Sequence, residues 1–191
     1  YSDWKTEKLY SCGEIVPNME MKIDSPDPQN IPGELLVRGA NVFLGYYKNP
    51  EATAEALDED GWLHTGDMGI IDAEGSLFLR GRSKCMILGP SGQNIYPEEI
   101  EDYLTALPEI DEVIVSAIKD EDGSEVGLQC EVYPLQEKVE GLDDKAAYDL
   151  VKAAVEGYNA TMPAHKRVIK VSLRKEPFEK TTSQKIKRKY N

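Results

Sequence analysis

The stretch Gly81-Arg82-Ser83-Lys84 divides the sequence into two parts that have different residue patterns. Before this stretch, short apolar runs are separated by turns rich in Gly, Pro, Asn and Asp, a pattern typical of β-strands. After it, helical and strand patterns follow one another, which is typical of a small mixed domain. The sequence therefore predicts an α+β protein with a β-rich part at residues 1–81 and a mixed α+β part at residues 82–191.

The β-rich part is predicted to contain four strands and one helix. The strands are predicted at residues 20–23, 34–38, 68–72 and 76–80, and the last two form a hairpin around Ala73-Glu74-Gly75. The helix is predicted at residues 50–57. Asn49 can cap it, because an Asn side chain accepts a hydrogen bond from the first helical turn, and Pro50 fits the first helical position.

The mixed part is predicted to contain two helices and three strands. Pro97 and the acids after it suit the first turn of a helix over residues 97–107, and Ile100, Leu104 and Leu107 would form its apolar face. The remaining elements are a helix at residues 144–158 and strands at residues 112–118, 128–133 and 168–173. Residues 135–143 are predicted to be a charged loop.

The composition is typical of a globular protein. The chain has 191 residues, of which 40% are hydrophobic, and this is enough to bury a core in one domain or two small ones. No apolar run approaches the ~18 residues that a membrane-spanning helix needs, so we expect no transmembrane segment and at most peripheral membrane contact. The first residues contain neither an initiator Met nor an apolar signal core, so we expect the chain to be an excised part of a longer protein.

The cysteines and the charge limit the possible function classes. Cys12, Cys85 and Cys130 lack the paired spacing of a zinc or redox site, which favours reduced thiols and a cytoplasmic location. The net charge of -13 argues against nucleic-acid binding. Residues 159–191, however, carry ten Lys or Arg and two Glu, a local net charge of +8 that can attract a polyanion.

Thr65-Gly66-Asp67 is predicted to lie at the start of a strand, after a turn, where Gly lets the backbone fold tightly and presents the carboxylate outward. Such a carboxylate can accept hydrogen bonds from two neighbouring hydroxyls, and the 2′- and 3′-OH groups of a ribose offer that geometry. Taken alone, the tripeptide is better explained as a surface turn.

His64 and His165 have no partner at the spacing of a metal site or a nucleophile–base pair, so we assign them no chemistry.

Two further segments contain groups that could serve a ligand. Gly89-Pro90-Ser91-Gly92-Gln93-Asn94 is a Gly-rich turn, and its small residues let another group pass close to the backbone. A tight turn without a ligand explains this segment equally well. Lys185, taken alone, is one of several cations on a basic C-terminal tail.

Six short motifs occur in a fixed order along the chain. They are Gly33-Glu34-Leu35-Leu36-Val37-Arg38-Gly39, Gly45-Tyr46-Tyr47, Trp62-Leu63-His64-Thr65-Gly66-Asp67, Gly81-Arg82-Ser83-Lys84, Ile95-Tyr96-Pro97-Glu98-Glu99-Ile100-Glu101 and Thr182-Ser183-Gln184-Lys185-Ile186. Together they resemble the C-terminal third of an acyl-CoA synthetase of the AMP-forming, adenylate-forming superfamily. The resemblance is closest to the long-chain fatty acid CoA ligases, whose ending Glu-Pro-Phe-Glu-Lys-Thr is matched by residues 176–181.

The resemblance implies a reaction in two steps. A fatty acid and ATP give acyl-AMP and pyrophosphate, and CoA then takes the acyl group to give acyl-CoA and AMP. Residues 1–81 would be the C-terminal part of the large ATP/AMP-binding domain, and residues 82–191 would be its small mobile lid. The phosphate loop and the Glu that binds Mg²⁺ are expected upstream of Tyr1, so this chain would hold no metal ligand and would be inactive in isolation. Its partners would be fatty acid, ATP, CoA and the remainder of its own N-terminal domain.

The resemblance also assigns roles to individual residues. Lys185 would be catalytic, because its ammonium would bring the substrate carboxylate and the α-phosphate of ATP together. Asp67 and Arg82 would bind the ribose of ATP or AMP, and Gly81 with Arg82 would form the hinge of the lid. Gly92 would line the channel for the pantetheine arm of CoA.

The sequence departs from the family pattern at three positions, and other functions remain open. Gln184 stands where the family has Gly, while Cys85 and Leu88 stand where many relatives have an acid and a Lys. The parent protein could instead adenylate an aryl or amino acid, or deliver the acyl group to a carrier protein. A non-catalytic anion-binding module that uses the basic C-terminus is a further alternative, and its phosphate contacts would depend strongly on salt.

Overall fold

The computed structural model describes residues 8–188, and the chain divides into two compact units. The first unit ends at Cys85 and the second begins at Met86. The sequence predicted the change between its two parts at Gly81, which lies in the last strand of the first unit. The assignment of these parts to a large domain and a mobile lid stays a prediction.

The first unit is built on a four-stranded antiparallel sheet whose strands follow chain order. The strands are β1 (Met19–Asp24), β2 (Gly33–Gly39), β3 (Leu63–Ile71) and β4 (Leu77–Arg82). Ile23, Leu35 and Leu77 form a small buried cluster. This cluster stabilises the sheet because it removes apolar surface from water.

Helix α1 (Pro50–Ala56) lies between β2 and β3, where the sequence predicted it. Asn49 caps the helix, since its Oδ1 accepts a hydrogen bond from Ala52 N at 3.1 Å. Pro50 occupies the first turn, where its missing N–H costs no helical hydrogen bond. A 3₁₀ turn at Ser83–Cys85 follows β4.

The tripeptide Thr65-Gly66-Asp67 lies inside β3, so the prediction that it begins a strand was wrong. Leu63 and His64 already pair with Val37 and Leu36 of β2. The strand therefore starts two residues before the tripeptide, because these earlier residues continue the ladder of hydrogen bonds with β2.

The second unit contains a short hairpin, a three-stranded sheet and three helices within the described residues. Its elements in chain order are β5 (Ile87–Leu88), β6 (Asn94–Ile95), α2 (Pro97–Thr105), β7 (Ile110–Lys119), β8 (Glu125–Pro134), α3 (Gln136–Val139), α4 (Asp144–Thr161) and β9 (Val168–Leu173), with a 3₁₀ turn at Ala164–Lys166 before β9. Strands β7 and β8 are antiparallel. Strand β9 runs parallel to β8, and α4 provides the crossover that a parallel pair requires.

One hydrophobic core joins α2 and α4 to this sheet. Ile100 and Leu104 of α2 and Val151 and Val155 of α4 are at most 1% exposed, and Val132 of β8 belongs to the same cluster. The apolar residues of both helices recur at three- to four-residue spacing, which places them on one side of each helix. The predicted fold class, α+β, is confirmed.

One helix of the structure was not predicted. Residues 135–143 were predicted to be a loop, but Gln136–Val139 forms the short helix α3. Four residues are too few to display helical periodicity in a sequence. Among residues 8–188, no helix is both long enough and apolar enough to cross a membrane.

Within residues 8–188, none of the three cysteines forms a disulfide. Cys12 is exposed, whereas Cys85 and Cys130 are buried. Burial raises the pKa of Cys130 to about 12, so this thiol stays protonated and unreactive at neutral pH.

Candidate functional site

Asp67 and Arg82, the two residues predicted to bind a ribose, lie opposite each other on β3 and β4. Arg82 Nε lies 3.4 Å from Asp67 Oδ1. The Arg82 side chain is 61% exposed and that of Asp67 is 32% exposed, so solvent reaches both. The strand pairing therefore creates a carboxylate that can accept hydrogen bonds beside a guanidinium that can donate them.

Glu34 of β2 fixes the backbone that precedes Asp67. Its Oε1 accepts a hydrogen bond from Gly66 N at 2.9 Å, and its Oε2 lies 3.0 Å from His64 Nδ1. Thr65 Oγ1 accepts a hydrogen bond from Asp67 N at 3.1 Å. His64 thus contributes to the local structure of this segment.

Sequence reasoning gave Glu34 no role, because its partners lie 30 and 32 residues further along the chain. The available signal was its place in the first of the six motifs. A charged motif residue that has no partner near it in the sequence can form its hydrogen bonds with a neighbouring strand.

Gly66 gives this segment its shape. It has a φ of +72°, a left-handed conformation that is unfavourable for residues with a Cβ. A Cβ added at Gly66 would meet no atom within 4 Å. Glycine is therefore favoured at position 66 by the left-handed backbone conformation, and not by a lack of space for a side chain.

Gly81 and Arg82, the predicted hinge, are paired residues at the end of β4. Gly81 lies opposite Met68, and Arg82 lies opposite Asp67. In this structure the two residues are therefore part of the sheet of the first unit. Their role as a hinge stays a prediction.

Gly92, predicted to line a pantetheine channel, lies in the turn between β5 and β6. Gly89 N donates a hydrogen bond to Gln93 O, and Gly92 N donates one to Gly89 O, both at 2.8 Å. Gly92 has a φ of +81°, and a Cβ at this position would meet open space. The turn thus presents bare backbone to its surroundings.

A cavity of about 320 Å³ adjoins this turn, and the sequence did not predict it. Its walls include Gly89 and Gln93 from the turn, Glu125 from β8, and His165 and Arg167. Three separate segments form the cavity, so only the fold could show it. None of its lining residues belongs to the segment that contains Lys185.

Lys185, the predicted catalytic residue, lies on an ordered turn. Lys180 and Ile186 form an antiparallel bridge at the base of this turn. Thr181 N donates a hydrogen bond to Lys185 O at 2.8 Å, and Thr181 Oγ1 accepts one from Lys185 N at 3.2 Å. Lys185 is exposed, and within residues 8–188 no carboxylate lies at ion-pair distance from its ammonium. This part of the basic C-terminal tail is therefore a hydrogen-bonded turn, and the catalytic role of Lys185 stays a prediction.

Gln184, which replaces the glycine of the family motif, has a φ of +62°. This left-handed conformation explains why a glycine suits the position. The turn keeps its shape with Gln, since Gln184 N still donates a hydrogen bond to Thr181 O at 2.9 Å. The departure from the family pattern therefore leaves the turn that holds Lys185 intact.

The described part of the chain has no obvious metal site. Within residues 8–188, no three His, Cys, Asp or Glu side chains are grouped as they are around a metal ion. Asp67, the carboxylate of the candidate ribose site, has Arg82 as its charged neighbour. The prediction that Mg²⁺ is bound by a segment outside this chain remains open.

Comparison with known proteins gives clear relatives, although no protein-family model matches the chain. The chain is 40% identical over 187 residues to 4-coumarate–CoA ligase 1 of Arabidopsis thaliana, which corresponds to 95% of this chain and 31% of that protein. Its fold matches o-succinylbenzoate CoA synthetase (MenE) of Bacillus subtilis in complex with the acyl-adenylate intermediate OSB-AMP. For this match the TM-score is 0.74 and the identity is 26%, over 96% of this chain and 35% of that one.

A second structural match is the ATP-bound MatB of Rhodopseudomonas palustris, with a TM-score of 0.73 and 27% identity over 93% of this chain and 34% of that one. These comparisons support the AMP-forming superfamily. The chain spans 31% of the length of its Arabidopsis relative. Within the superfamily, the assignment to the long-chain fatty acid branch stays a prediction.

Proposed function

We propose that the chain is the C-terminal part of an AMP-forming CoA ligase, which joins a carboxylic acid to CoA through an acyl-adenylate. The observation that carries this proposal is the ordered turn that presents an exposed Lys185, whose ammonium has no carboxylate at ion-pair distance within residues 8–188. A cation in this state can interact with a ligand without first breaking an ion pair. The similarity to CoA ligases and to ATP-binding neighbours supports the same function.

In the first step, an oxygen of the substrate carboxylate attacks the α-phosphorus of ATP. A new P–O bond forms, the bond to the β,γ-diphosphate breaks, and pyrophosphate leaves. Two anions must approach each other, and negative charge develops on the oxygens around phosphorus. The Lys185 ammonium offsets this charge, so its effect is largest in the transition state.

Asp67 and Arg82 would hold the nucleotide at its ribose. The Asp67 carboxylate can accept hydrogen bonds from the 2′- and 3′-hydroxyls, and Arg82 can donate to a ribose oxygen. Glu34 and Gly66 keep the Asp67 backbone in place through the hydrogen bond between them. Positioning of this kind contributes to catalysis because it fixes the α-phosphate relative to the acid.

In the second step, the sulfur of CoA attacks the acyl carbonyl of the adenylate. A C–S bond forms, the bond between the acyl carbon and the phosphate oxygen breaks, and AMP leaves as the thiol proton is lost. The bare backbone of the turn at Gly92 would border the path of the pantetheine arm. A bulky side chain at this position would narrow that path.

For the acid, we propose a long-chain fatty acid, on the basis of the match at residues 176–181. The name of the Arabidopsis relative instead suggests an aryl acid such as 4-coumarate. Phe178 and Lys180, two residues of the match, contact Glu112 within the second unit. Their contacts thus serve the structure of this unit, and an assay must decide between the acids.

The experiment is a product analysis of the full-length protein with ATP, Mg²⁺, CoA and a panel of acids. The panel contains fatty acids of increasing length and hydroxycinnamic acids, and mass spectrometry detects acyl-CoA, acyl-AMP and AMP. We expect acyl-CoA and AMP from the wild type and from Lys187→Ala, and about a hundredth or less of these products in the same time from Lys185→Ala.

Other outcomes would change the assignment. Acyl-AMP without acyl-CoA would favour a carrier protein as acceptor. The absence of any ATP-dependent product with every acid would contradict the ligase proposal and favour a non-catalytic anion-binding module.

A further inference from the structure

The turn that holds Lys185 is fixed on both sides by carboxylates from the core of the second unit. Glu112 of β7 binds the chain before the turn, at Phe178 and Lys180. Glu101 of α2 binds the chain after the turn, at Arg188. Neither carboxylate belongs to the segment that contains Lys185.

Glu112 uses both of its oxygens on this segment. Its Oε1 lies 2.5 Å from Lys180 Nζ, and its Oε2 accepts a hydrogen bond from Phe178 N at 2.7 Å. The Glu112 side chain is only 7% exposed. A carboxylate buried to this extent is unfavourable unless it is paired, so the contacts hold the segment against β7.

Lys180 stays charged in this arrangement. The Glu112 carboxylate raises the pKa of the Lys180 ammonium above its ordinary value. The Lys180 ammonium is therefore charged throughout the neutral range. Lys180 is also the first residue of the bridge with Ile186, so the ion pair lies directly at the base of the turn.

Glu101 also uses both oxygens and connects α2, β7 and the end of the segment. Its Oε1 accepts a hydrogen bond from Val115 N of β7 at 2.6 Å, and its Oε2 pairs with Arg188 Nη2. Glu98 Oε1 lies 3.9 Å from the same nitrogen. The Glu101 and Arg188 side chains are 13% and 19% exposed, so solvent screens this pair only in part.

The two contacts bracket Lys185. Lys180 lies five residues before it and Arg188 lies three residues after it. Hydrogen bonds within the turn define its shape, but they do not place it on the unit. The contacts of Glu112 and Glu101 with the flanking residues supply that placement.

We propose that Glu112 and Glu101 are positioning residues for Lys185, which hold its turn against β7 and α2 so that the ammonium reaches the reacting phosphate. This inference rests on the proposed function. Lys185 has a flexible side chain, and the position of its backbone sets the region that its ammonium can reach. A displacement of about 1 Å in a catalytic group can cost about a hundredfold in rate.

The test measures the two half-reactions separately in the full-length protein. Pyrophosphate release reports adenylate formation, and acyl-CoA formation from supplied acyl-AMP reports thioester formation. Glu112→Gln keeps the size of the side chain but removes its charge, and Arg188→Gln removes the partner of Glu101. Lys187→Gln is the matched control, because the partner of Lys187 is Glu179, which lies 3.8 Å away and is 80% exposed.

For Glu112→Gln and Arg188→Gln we expect kcat of adenylate formation to fall about tenfold or more, with the KM for ATP within about twofold of wild type. Thioester formation from supplied acyl-AMP should stay within about twofold of wild type, because Lys185 serves the first step. Arg188→Lys should restore part of the lost rate, since it restores the charge. Thermal unfolding identifies a variant that fails to fold. If Glu112→Gln does not fold, the conclusion rests on the rates measured for Arg188→Gln.

An equal fall in both half-reactions would contradict the inference, because it would indicate general damage to the second unit. Adenylate formation like that of Lys187→Gln would also contradict it. Lys185→Ala, measured in parallel, separates this inference from the proposed function. If Lys185→Ala retains wild-type adenylate formation, the proposed function is wrong, whereas if only Lys185→Ala is impaired, the positioning inference alone is wrong.

Discussion

Arg82 lies opposite Asp67, with its Nε 3.4 Å from Asp67 Oδ1, because β4 contains a one-residue irregularity. Near the hairpin turn, Ile71 pairs with Leu77 and Gly69 pairs with Leu79. Continued without interruption, that register would place Gly81 opposite Asp67. The shift between Met68 and Gly69 brings Arg82 to this position instead. A β-bulge thus creates the candidate ribose site.

Replacement of Asp67 should weaken nucleotide binding in a way that depends on the ribose. The variant Asp67→Ala removes an acceptor for two hydroxyls, so the affinity for ATP should fall about tenfold to a hundredfold. The variant should also lose the ability to distinguish ATP from 2′-deoxy-ATP. Isothermal titration calorimetry with both nucleotides measures this, and Glu59→Ala, an exposed acid of the same unit, is the control.

An opposite pattern would favour the anion-binding module. If raised salt abolished binding while Asp67→Ala left it unchanged, the basic residues and not the ribose contacts would account for nucleotide affinity.

Replacement of Glu34 should disturb the same site from the neighbouring strand. Glu34→Ala removes the acceptor of Gly66 N and the partner of His64, so the free energy of unfolding should fall by about 1 to 2 kcal/mol. Affinity for ATP should fall as well, because Asp67 loses its support. Urea unfolding and nucleotide titration measure the two effects.

The control for Glu34 is Glu20→Ala on the adjacent part of the sheet. Glu20 pairs with Arg38 and its side chain is 59% exposed, so its loss should have a smaller effect on stability and none on ATP affinity. Equal effects of the two substitutions on ATP binding would argue against a role of Glu34 at the site.

The family glycine should be tolerated, and even favourable, at position 184. Gln184 has a φ of +62°, and Gln184→Gly removes the cost of that conformation, partly offset by the entropy that Gly gains in the unfolded chain. We expect a stabilisation of up to about 1 kcal/mol in urea unfolding. Gln184→Ala retains a Cβ and should give no such gain; an equal gain with Ala would contradict the argument.

Stability should depend on pH through Glu101. The pKa of the Glu101 carboxyl is raised from an ordinary value of 4.5 to about 7, chiefly by burial. The neighbouring acids Glu98 and Asp102 also raise this pKa, whereas Arg188 and the hydrogen bond from Val115 N lower it. Between pH 4.5 and 7 the folded chain therefore retains a proton that the unfolded chain has lost. This contribution to stability is fully present below pH 4.5 and is lost as the pH rises through about 7, with a slope of at most about 1.4 kcal/mol per pH unit.

The variant Glu101→Gln should remove this slope. Unfolding free energies in urea at pH 5, 6, 7 and 8 provide the measurement. Glu131→Gln, at an exposed carboxylate paired with Arg174, should leave the pH dependence as in wild type. A wild-type slope in Glu101→Gln would show that another group is responsible.

The sequence predicted most elements correctly because their signals are local. Alternation and turn residues marked the strands, and Asn49 and Pro50 marked the start of α1. The signal failed for α3, β5 and β6, which are too short for periodicity. It also failed for the start of β3, which depends on pairing with β2.

The candidate site was predictable only where motifs named its residues. Asp67, Arg82 and Lys185 came from the motif series, but their surroundings depend on long-range contacts. The bulge in β4 sets the pairing of Asp67, and Glu112 contacts Phe178 across 66 residues. Such contacts depend on strand register and on packing, neither of which is encoded in the spacing of nearby residues.

The most direct test of the account is the single-turnover rate of adenylate formation in the full-length protein, compared between wild type, Lys185→Ala and Lys187→Ala. Our account predicts that Lys185→Ala lowers this rate by about a hundredfold to a thousandfold, and that Lys187→Ala stays within about twofold of wild type. Equal rates in wild type and Lys185→Ala would contradict the central claim, because the exposed cation on the ordered turn would then have no part in the chemistry.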